Sequence, residues 1–437
     1  MSNTTFDLVV VGAGRAGAAT AYKLAEDGFD VALVERAKQP GMKNVTGGVL
    51  YGETLSKLVP EFPEEAPLER HVVEHNIKLL HDDAEVGISY RDLDLRTEPN
   101  YTLMLGKFDR WLVEKTEEQG ALFVPETTVQ DVSQNGDGAV VHTDRENGDI
   151  SCRAVVGADG VNTTVGRVTG IQRTMRNEDM GLSVKKVIDL DRETINERFN
   201  LSGNEGAAYI YTGFPKGAPG IGYFLYTYRD AISVGAVGPL DVLRWLGDEG
   251  YGGTGTPLYS LLEEFMGLDT VQPYVRGEVL QEYQGILLPE LSYENLPDRH
   301  DRRVALVGDA AGLVLNKGYT FRGLDYGIAS GITAAKAAKA CRRDGNWEAF
   351  GKRYNKRLES SYVLKDMKQH QRLPSFLETE RIYDEYPEMA AATLRGMYSS
   401  DADGKGLTWR QAWRAFRQSD AGVADLLRDG YHAVRSL

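Results

Sequence analysis

The sequence predicts an α/β protein built on a Rossmann-like dinucleotide-binding unit, with an inserted antiparallel sheet and a helical C-terminus. Three observations predict it. The chain opens on a strand–glycine–helix–strand–acid fingerprint. Apolar strands that run into Gly-Ala-Asp-Gly and Gly-Asp-Ala-Ala-Gly return much later in the chain. Between those two returns lies a tyrosine-rich stretch of a different texture.

The opening unit comes first. Phe6 to Val11 is a β-branched apolar run that reads as a buried strand, and Gly12, Gly14 and Gly17 follow as G-x-G-x-x-G ahead of an alanine-rich helix. Gly12 permits the tight turn, Gly14 lets a pyrophosphate approach the backbone, and Gly17 lets helix and strand pack closely. The helix N-terminus offers unpaired N–H groups to the phosphates. Val31 to Val34 is the second strand. It ends at Glu35, where a carboxylate can accept both ribose hydroxyls.

The rest of the chain falls into three textures. Residues 40–52 form a glycine-rich loop with an extended tail, and residues 60–100 read as strands and turns of another domain. Gly106 to Gly120 reads as an amphipathic helix with Phe108, Trp111, Leu112 and Lys115 on one face. Leu122 to Val124 is a short strand, Thr127 to Val141 a hairpin turning at Asn135-Gly136, and Ala154 to Val156 a buried strand. Residues 170–290 alternate like a largely antiparallel sheet, with Tyr211, Tyr223 and Tyr226 either in its core or lining a channel. Arg303 to Val307 resumes the nucleotide-domain pattern. Helices then run over Gly323 to Cys341 and Trp347 to His370, with shorter ones to the end. Gly250 to Pro257 reads as a loop and not as a second nucleotide site.

Composition narrows the function. At 437 residues the chain is long enough for two domains or more. No apolar run approaches the ~20 residues that span a bilayer, and the first strand begins too early to leave room for a signal peptide. A cytoplasmic location follows as the expectation, with contact at a membrane surface left open. A formal net charge of −14 disfavours nucleic acid and suits solubility or a basic protein partner. The two cysteines, Cys152 and Cys341, form no C-x-x-C and read as buried fillers. His71 and His75 have no third ligand nearby in sequence, so no metal site is expected.

One fingerprint does not separate NAD from FAD, but the later segments do. A flavin dinucleotide is long, and its pyrophosphate and ribityl chain need contacts from distant parts of the chain. Asp159-Gly160 and Gly308-Asp309, each closing an apolar strand, supply small residues and an acid for ribityl hydroxyls. Asp309 could instead cap a helix. Gly312 and Gly323 continue this set, and a helix starting after Gly323 would aim its positive end at the flavin ring and stabilise a reduced, anionic form. Arg322 either adds to that charge or pairs with Asp325. Lys107 either reaches the nucleotide or is a solvated lysine. With Ala16, Arg36 and Val129 beside these turns, the candidate FAD contacts are Gly12, Gly14, Ala16, Gly17, Glu35, Arg36, Lys107, Val129, Asp159, Gly160, Gly308, Asp309, Gly312 and Gly323.

These residues resemble a known family. Lys43-Asn44-Val45-Thr46-Gly47-Gly48, Lys107-Phe108-Asp109, Gly203-Asn204-x-Gly206-Ala207-Ala208, Arg322-Gly323-x-Asp325 and Leu373-Pro374-x-Phe376-Leu377 are similar to FixC-type flavoproteins. Those are relatives of electron-transfer-flavoprotein:quinone oxidoreductases within the geranylgeranyl-reductase-like group. The resemblance runs nearly end to end. It implies an α/β plus α+β chain of the glutathione-reductase/aromatic-hydroxylase type, holding FAD non-covalently.

In this reading residues 1–60, 100–168 and 295–345 bind FAD, 61–99 and 169–294 form the substrate- or quinone-side sheet domain, and 346–437 the helical region. Lys43, Asn44, Thr46, Gly47, Gly48 and Arg322 lie beside the flavin. The implied activity takes electrons from an electron transfer flavoprotein and gives them to quinone or a ferredoxin-like small protein, at most peripherally on the inner face of the cell membrane. Electron transfer through a flavin needs no general acid or nucleophile. No cysteine follows Cys341, so an iron–sulfur cluster would ride on a separate partner. The alternatives are an isoprenoid lipid reductase, then an FAD-dependent aromatic hydroxylase, then a nucleotide-binding protein without redox turnover.

Overall fold

The computed structural model describes residues 6–42, 47–82, 84–172, 175–247, 258–277, 279–399, 408–419 and 421–436. The glycine loop at 250–257 and Lys43, Asn44 and Thr46 lie outside them. In chain order, β1 (Phe6–Val11) leads through helix α1 (Arg15–Glu26) to β2 (Val31–Val34), the βαβ unit of the fingerprint. β3 (Gly48–Tyr51), β4 (Leu68–His81), β5 (Ala84–Arg91) and β6 (Asn100–Leu103) follow. After the helix Leu105–Glu118 come β7 (Leu122–Val124), β8 (Val129–Gln134), β9 (Ala139–Thr143) and β10 (Ile150–Gly157). β11 (Met180–Asp189), β12 (Glu205–Thr212), β13 (Gly222–Thr227), β14 (Ala231–Pro239) and β15 (Val279–Pro289) form the tyrosine-rich region. β16 (His300–Asp301) and β17 (Val304–Leu306) return to the first sheet.

Two sheets result. The first runs β16-β17-β10-β1-β2-β7, with β1, β2, β7, β10 and β17 mutually parallel and the β8–β9 hairpin attached to β10. Its central strands are buried on both faces, which is why they read as continuous apolar runs. At the hairpin, the Asn135 side chain accepts from the backbone of Asp137 and Gly138, an Asx turn that fixes the reversal.

The second sheet runs β15-β11-β14-β13-β12-β4-β6-β3, with β5 on β4. It is antiparallel except where β12 lies parallel to β4. β3 and β6 belong to this sheet, although the sequence groups residues 48–51 and 100–103 with the nucleotide-binding segments. Their local pattern carries no sign of which sheet they pair with. One face of the sheet is closed by the helix Leu258–Gly267, whose Phe265 packs on Tyr211 and Tyr223. The other face carries Phe224, Tyr226 and Val187, together with Val49 and Met104.

The long helix Leu324–Asp344 packs along α1, and glycines bring the two together. A Cβ on Gly331 would sit 2.5 Å from the Ala16 carbonyl oxygen. The stretch from Trp347 to His370 is not one helix. It breaks between Phe350–Glu359 and Tyr362–Gln369, where the Ser360 and Ser361 hydroxyls donate to the carbonyls of Arg357 and Leu358 and compete with the helical ladder. Both cysteines are buried, and burial pushes the Cys152 thiol up to about 12. No helix among the described residues is long and apolar enough to cross a membrane, and no group of three metal-ligating side chains occurs there.

Candidate functional site

The site begins with the glycine turn. Gly12 has φ +101°, and a Cβ there would lie 2.4 Å from the Ala158 carbonyl oxygen. At Gly17 a Cβ would lie 1.9 Å from the carbonyl oxygen of Gly12. Both positions therefore exclude a side chain. Gly14 differs: a Cβ built on it meets nothing within 4 Å. Gly14 is the N-cap of α1, and no side chain caps that helix. The first-turn N–H groups of α1 are thus left for a ligand, at the end of the helix that carries partial positive charge.

Beside this turn lies a cavity of about 540 Å³. Gly12, Gly14, Glu35, Arg36, Val129, Asp159, Gly160 and Asp309 are all on its walls. Four acids that are far apart in sequence, Glu35, Asp109, Asp159 and Asp309, therefore border one space. The Glu35 carboxylate accepts from the backbone of Ala13 and of Ala37, each at 2.9 Å, which fixes it across the mouth of the glycine turn. Asp159 accepts from the Thr163 hydroxyl at 2.6 Å and from the N–H groups of Thr164 and Val165 at 2.7 and 3.0 Å. It holds the Gly-Ala-Asp-Gly turn in shape. Burial raises its pKa, although these hydrogen bonds pull the other way.

Asp309 lies inside the short turn Gly308–Ala311, whose N-cap position is Val307, so the capping alternative does not describe it. Burial raises Asp309 too, opposed by the charge of Arg15. Arg15, the first residue of α1, sits 3.8 Å from Asp109 and 3.9 Å from Asp309. Sequence reasoning missed both Arg15 and Asp109 as site residues. Arg15 occupies a variable position of the fingerprint, which carries no identity signal. Asp109 did leave a signal: it is an acid within the buried stripe of the helix Leu105–Glu118.

The remaining candidates take other places. Gly308 and Ala16 pack together, since a Cβ on Gly308 would lie 2.9 Å from that of Ala16, and the Gly308 N–H donates to the Ser330 hydroxyl at 3.0 Å. Gly312 ends its turn at φ +70°, and Gly323 is the N-cap of the helix Leu324–Asp344. Lys107 is not on the cavity walls. Its side chain is 61% exposed and its ammonium lies 3.7 Å from Glu69, so the solvated alternative describes it. Arg322 takes its second option: its guanidinium donates to Asp325 and lies over the rings of Tyr51 and Tyr326. Burial works against that charge, but Asp325 more than offsets it and keeps Arg322 protonated.

Gly47 packs so tightly that a Cβ would overlap the Leu103 carbonyl, and its own carbonyl accepts from Lys185 at 2.9 Å. Gly48 pairs with Leu103 and leaves open space where its Cβ would be.

A second cavity, of about 210 Å³, borders β12, β13, residues 316–321 and the helix Leu373–Leu377. Ile77, Ile210, Phe224, Phe321, Leu373 and Phe376 give it an apolar lining. The β12–β13 segments with Tyr211 and Tyr223 also border it, but those two rings pack on Phe265 as sheet core. Tyr226 points the other way and stacks on Phe224.

Comparisons with known proteins agree with this geometry. The FAD binding domain model matches residues 5–200, and the ETF-QO/FixC family C-terminal domain model matches residues 373–437. The chain is 34% identical over the full length of both to a probable electron transfer flavoprotein-quinone oxidoreductase, YdiS, of Escherichia coli. It is 35% identical, again over all of both chains, to Protein FixC of Bradyrhizobium diazoefficiens. Among solved structures, a geranylgeranyl bacteriochlorophyll reductase-like protein from Thermoplasma acidophilum superposes with a TM-score of 0.70 at 17% identity. That match covers 97% of this chain and 99% of the other. A probable FAD-dependent monooxygenase from Pseudomonas aeruginosa gives 0.60 at 19% identity, covering 87% of this chain and 98% of the other. These two likenesses bear on the fold alone. A glycine turn open to a ligand, four acids on one cavity and full-length relatives together identify the chain as an FAD-dependent oxidoreductase that belongs to the ETF-QO/FixC family.

Proposed function

We propose that this chain accepts electrons from an electron transfer flavoprotein and passes them through FAD to a quinone, or to a small ferredoxin-like protein. It would work at the inner face of the cell membrane, with any iron–sulfur cluster carried by a separate partner. In this reading Gly12, Gly14 and Glu35 hold the ADP half of the cofactor and Asp309, backed by Arg15, the ribityl chain. Gly47 and Gly48 let backbone approach the flavin ring. FAD supplies the two-electron chemistry, and the protein supplies position, exclusion of water and access.

The observation that carries the reading is the second cavity. Its apolar walls suit a quinone head group, and it borders the same sheet face that closes the FAD cavity, so donor ring and acceptor can lie close together. Stopped-flow spectroscopy of the purified holoprotein tests it. Reduced electron transfer flavoprotein should bleach the flavin, and a short-chain quinone or a reducible cluster protein should restore it. Turnover of a prenyl lipid with a strong reductant, or phenol-stimulated NAD(P)H oxidation, in a protein that neither partner reduces or reoxidises, would overturn the proposal in favour of a reductase or a hydroxylase.

A further inference from the structure

We propose that Lys185 is a positioning and charge-supplying residue for the redox-active end of FAD, fixed on the sheet face where the two cavities meet. The inference rests on FAD binding and not on the identity of the electron donor or acceptor.

Sheet register carries the placement. Residues directly paired across neighbouring strands point to the same face. One such row runs Gln284, Lys185, Gly235, Phe224, Ile210, Ile77. Its first member lines the large cavity, and its last three lie on the small apolar one. Lys185 is next to Gln284 and is the one charged residue of the six. It therefore sits between the dinucleotide cavity and the acceptor cavity, the interval that an elongated cofactor reaching from one to the other must cross.

The local structure is built to hold an ammonium there. Gly235 clears the space beside it: a Cβ would lie 2.3 Å from the Phe224 ring, so that ring can lie toward Lys185. The Lys185 Nζ is 5.3 Å from the Phe224 centroid, a cation–π contact. It also donates to the Gly47 carbonyl at 2.9 Å, which ties the start of β3 to the sheet face.

What the site lacks is a countercharge. Among the described residues no carboxylate lies within ion-pairing distance of Lys185, whereas Arg15 has both Asp109 and Asp309. Burial, with the like charge of Arg15, lowers Lys185 to about 8. A buried ammonium without an anion is costly, and a reduced, anionic cofactor ring would provide the missing charge. The same attraction makes reduction easier, so Lys185 raises the midpoint potential of the bound flavin. Lys186 is the natural control: it points to the opposite face and is ion-paired with Glu263.

Two measurements test the inference. In a dithionite titration of the holoprotein, K185M should hold FAD at a more negative midpoint potential, K185R should stay near wild type, and K186M should not shift. In wild-type protein, acetic anhydride labelling read by mass spectrometry should modify Lys185 several-fold more slowly with FAD than after FAD removal. A wild-type potential in flavin-replete K185M overturns the proposal. So does equal labelling of Lys185 with and without FAD, which decides the matter even if K185M fails to fold.

Discussion

The two sheets meet the candidate FAD site in different ways. The parallel sheet offers backbone: three glycines, the end of α1 and short turns after strands, with acids set at their tips. The antiparallel sheet offers side chains across a broad face, where what matters is which residue pairs with which across strands far apart in sequence. A backbone grip fails outright when a Cβ intrudes, because backbone atoms cannot move aside. A side-chain face degrades by degrees, because each position adds a separable contact.

The largest effect should therefore come from the glycine turn. Gly17→Ala places a Cβ 1.9 Å from the Gly12 carbonyl oxygen. The clash should cost about 3 kcal/mol of stability, and the purified variant should lack flavin absorbance. A yellow Gly17→Ala protein of wild-type thermal stability would break the comparison at its strongest point.

Next is Arg15→Leu, which removes the cation shared by Asp109 and Asp309. Breaking a buried ion pair costs roughly 3 kcal/mol. Contacts of 3.8 and 3.9 Å are long, so about 2 kcal/mol is expected in a denaturant titration at pH 7. The loss should shrink in acid. Burial raises the Asp309 pKa above its unfolded value, so the penalty for its uncompensated charge is absent once it is protonated and grows as pH rises through its folded pKa. Glu35→Gln should be milder. It keeps the shape but loses charge-assisted acceptors for the ribose hydroxyls, worth about 1.4 kcal/mol, or about tenfold in FAD affinity by fluorescence quenching.

The same contrast explains what was legible in the sequence. Glu35 and Asp309 could be found because each closes an apolar strand next to glycines, and strand ends in parallel α/β sheets are where ligands bind. Lys185 could not. It stands beside Lys186 in a strand buried on both faces, so only cross-strand register tells which of the two lysines looks toward the cavity. The sheet that β3 and β6 join is illegible for the same reason: four-residue strands carry a periodicity but not a partner. For Arg322 the sequence offers two roles, and the structure shows it paired with Asp325, three residues on in the opening turn of a helix.

Lys185 also leaves a trace in the FAD-free protein. Its folded pKa of about 8 lies below the ordinary 10.5. A depressed lysine contributes stability above 10.5 and loses it as pH falls through 8. The stability of the wild-type protein relative to K185M should therefore rise between pH 8 and 10.5, measured by thermal melts of the two side by side. A constant difference across that window would mean the ammonium is well solvated.

The smallest expected effect separates the two faces of the antiparallel sheet. Tyr211 and Phe224 lie on strands that pair with each other, one residue out of step, and they face opposite sides. The Tyr211 ring packs on Phe265, and its hydroxyl is buried with no hydrogen-bond partner among the described residues. Tyr211→Phe removes an unsatisfied polar atom and keeps the ring, so stability should change by less than about 0.5 kcal/mol, toward greater stability. Quinone-dependent reoxidation should be unaltered. Phe224→Ala on the other face should slow that step, because it removes a wall of the acceptor cavity and the ring beside Lys185. If Tyr211→Phe slowed reoxidation and Phe224→Ala did not, the acceptor would lie behind the sheet, and the division between core face and cofactor face would have to be reversed.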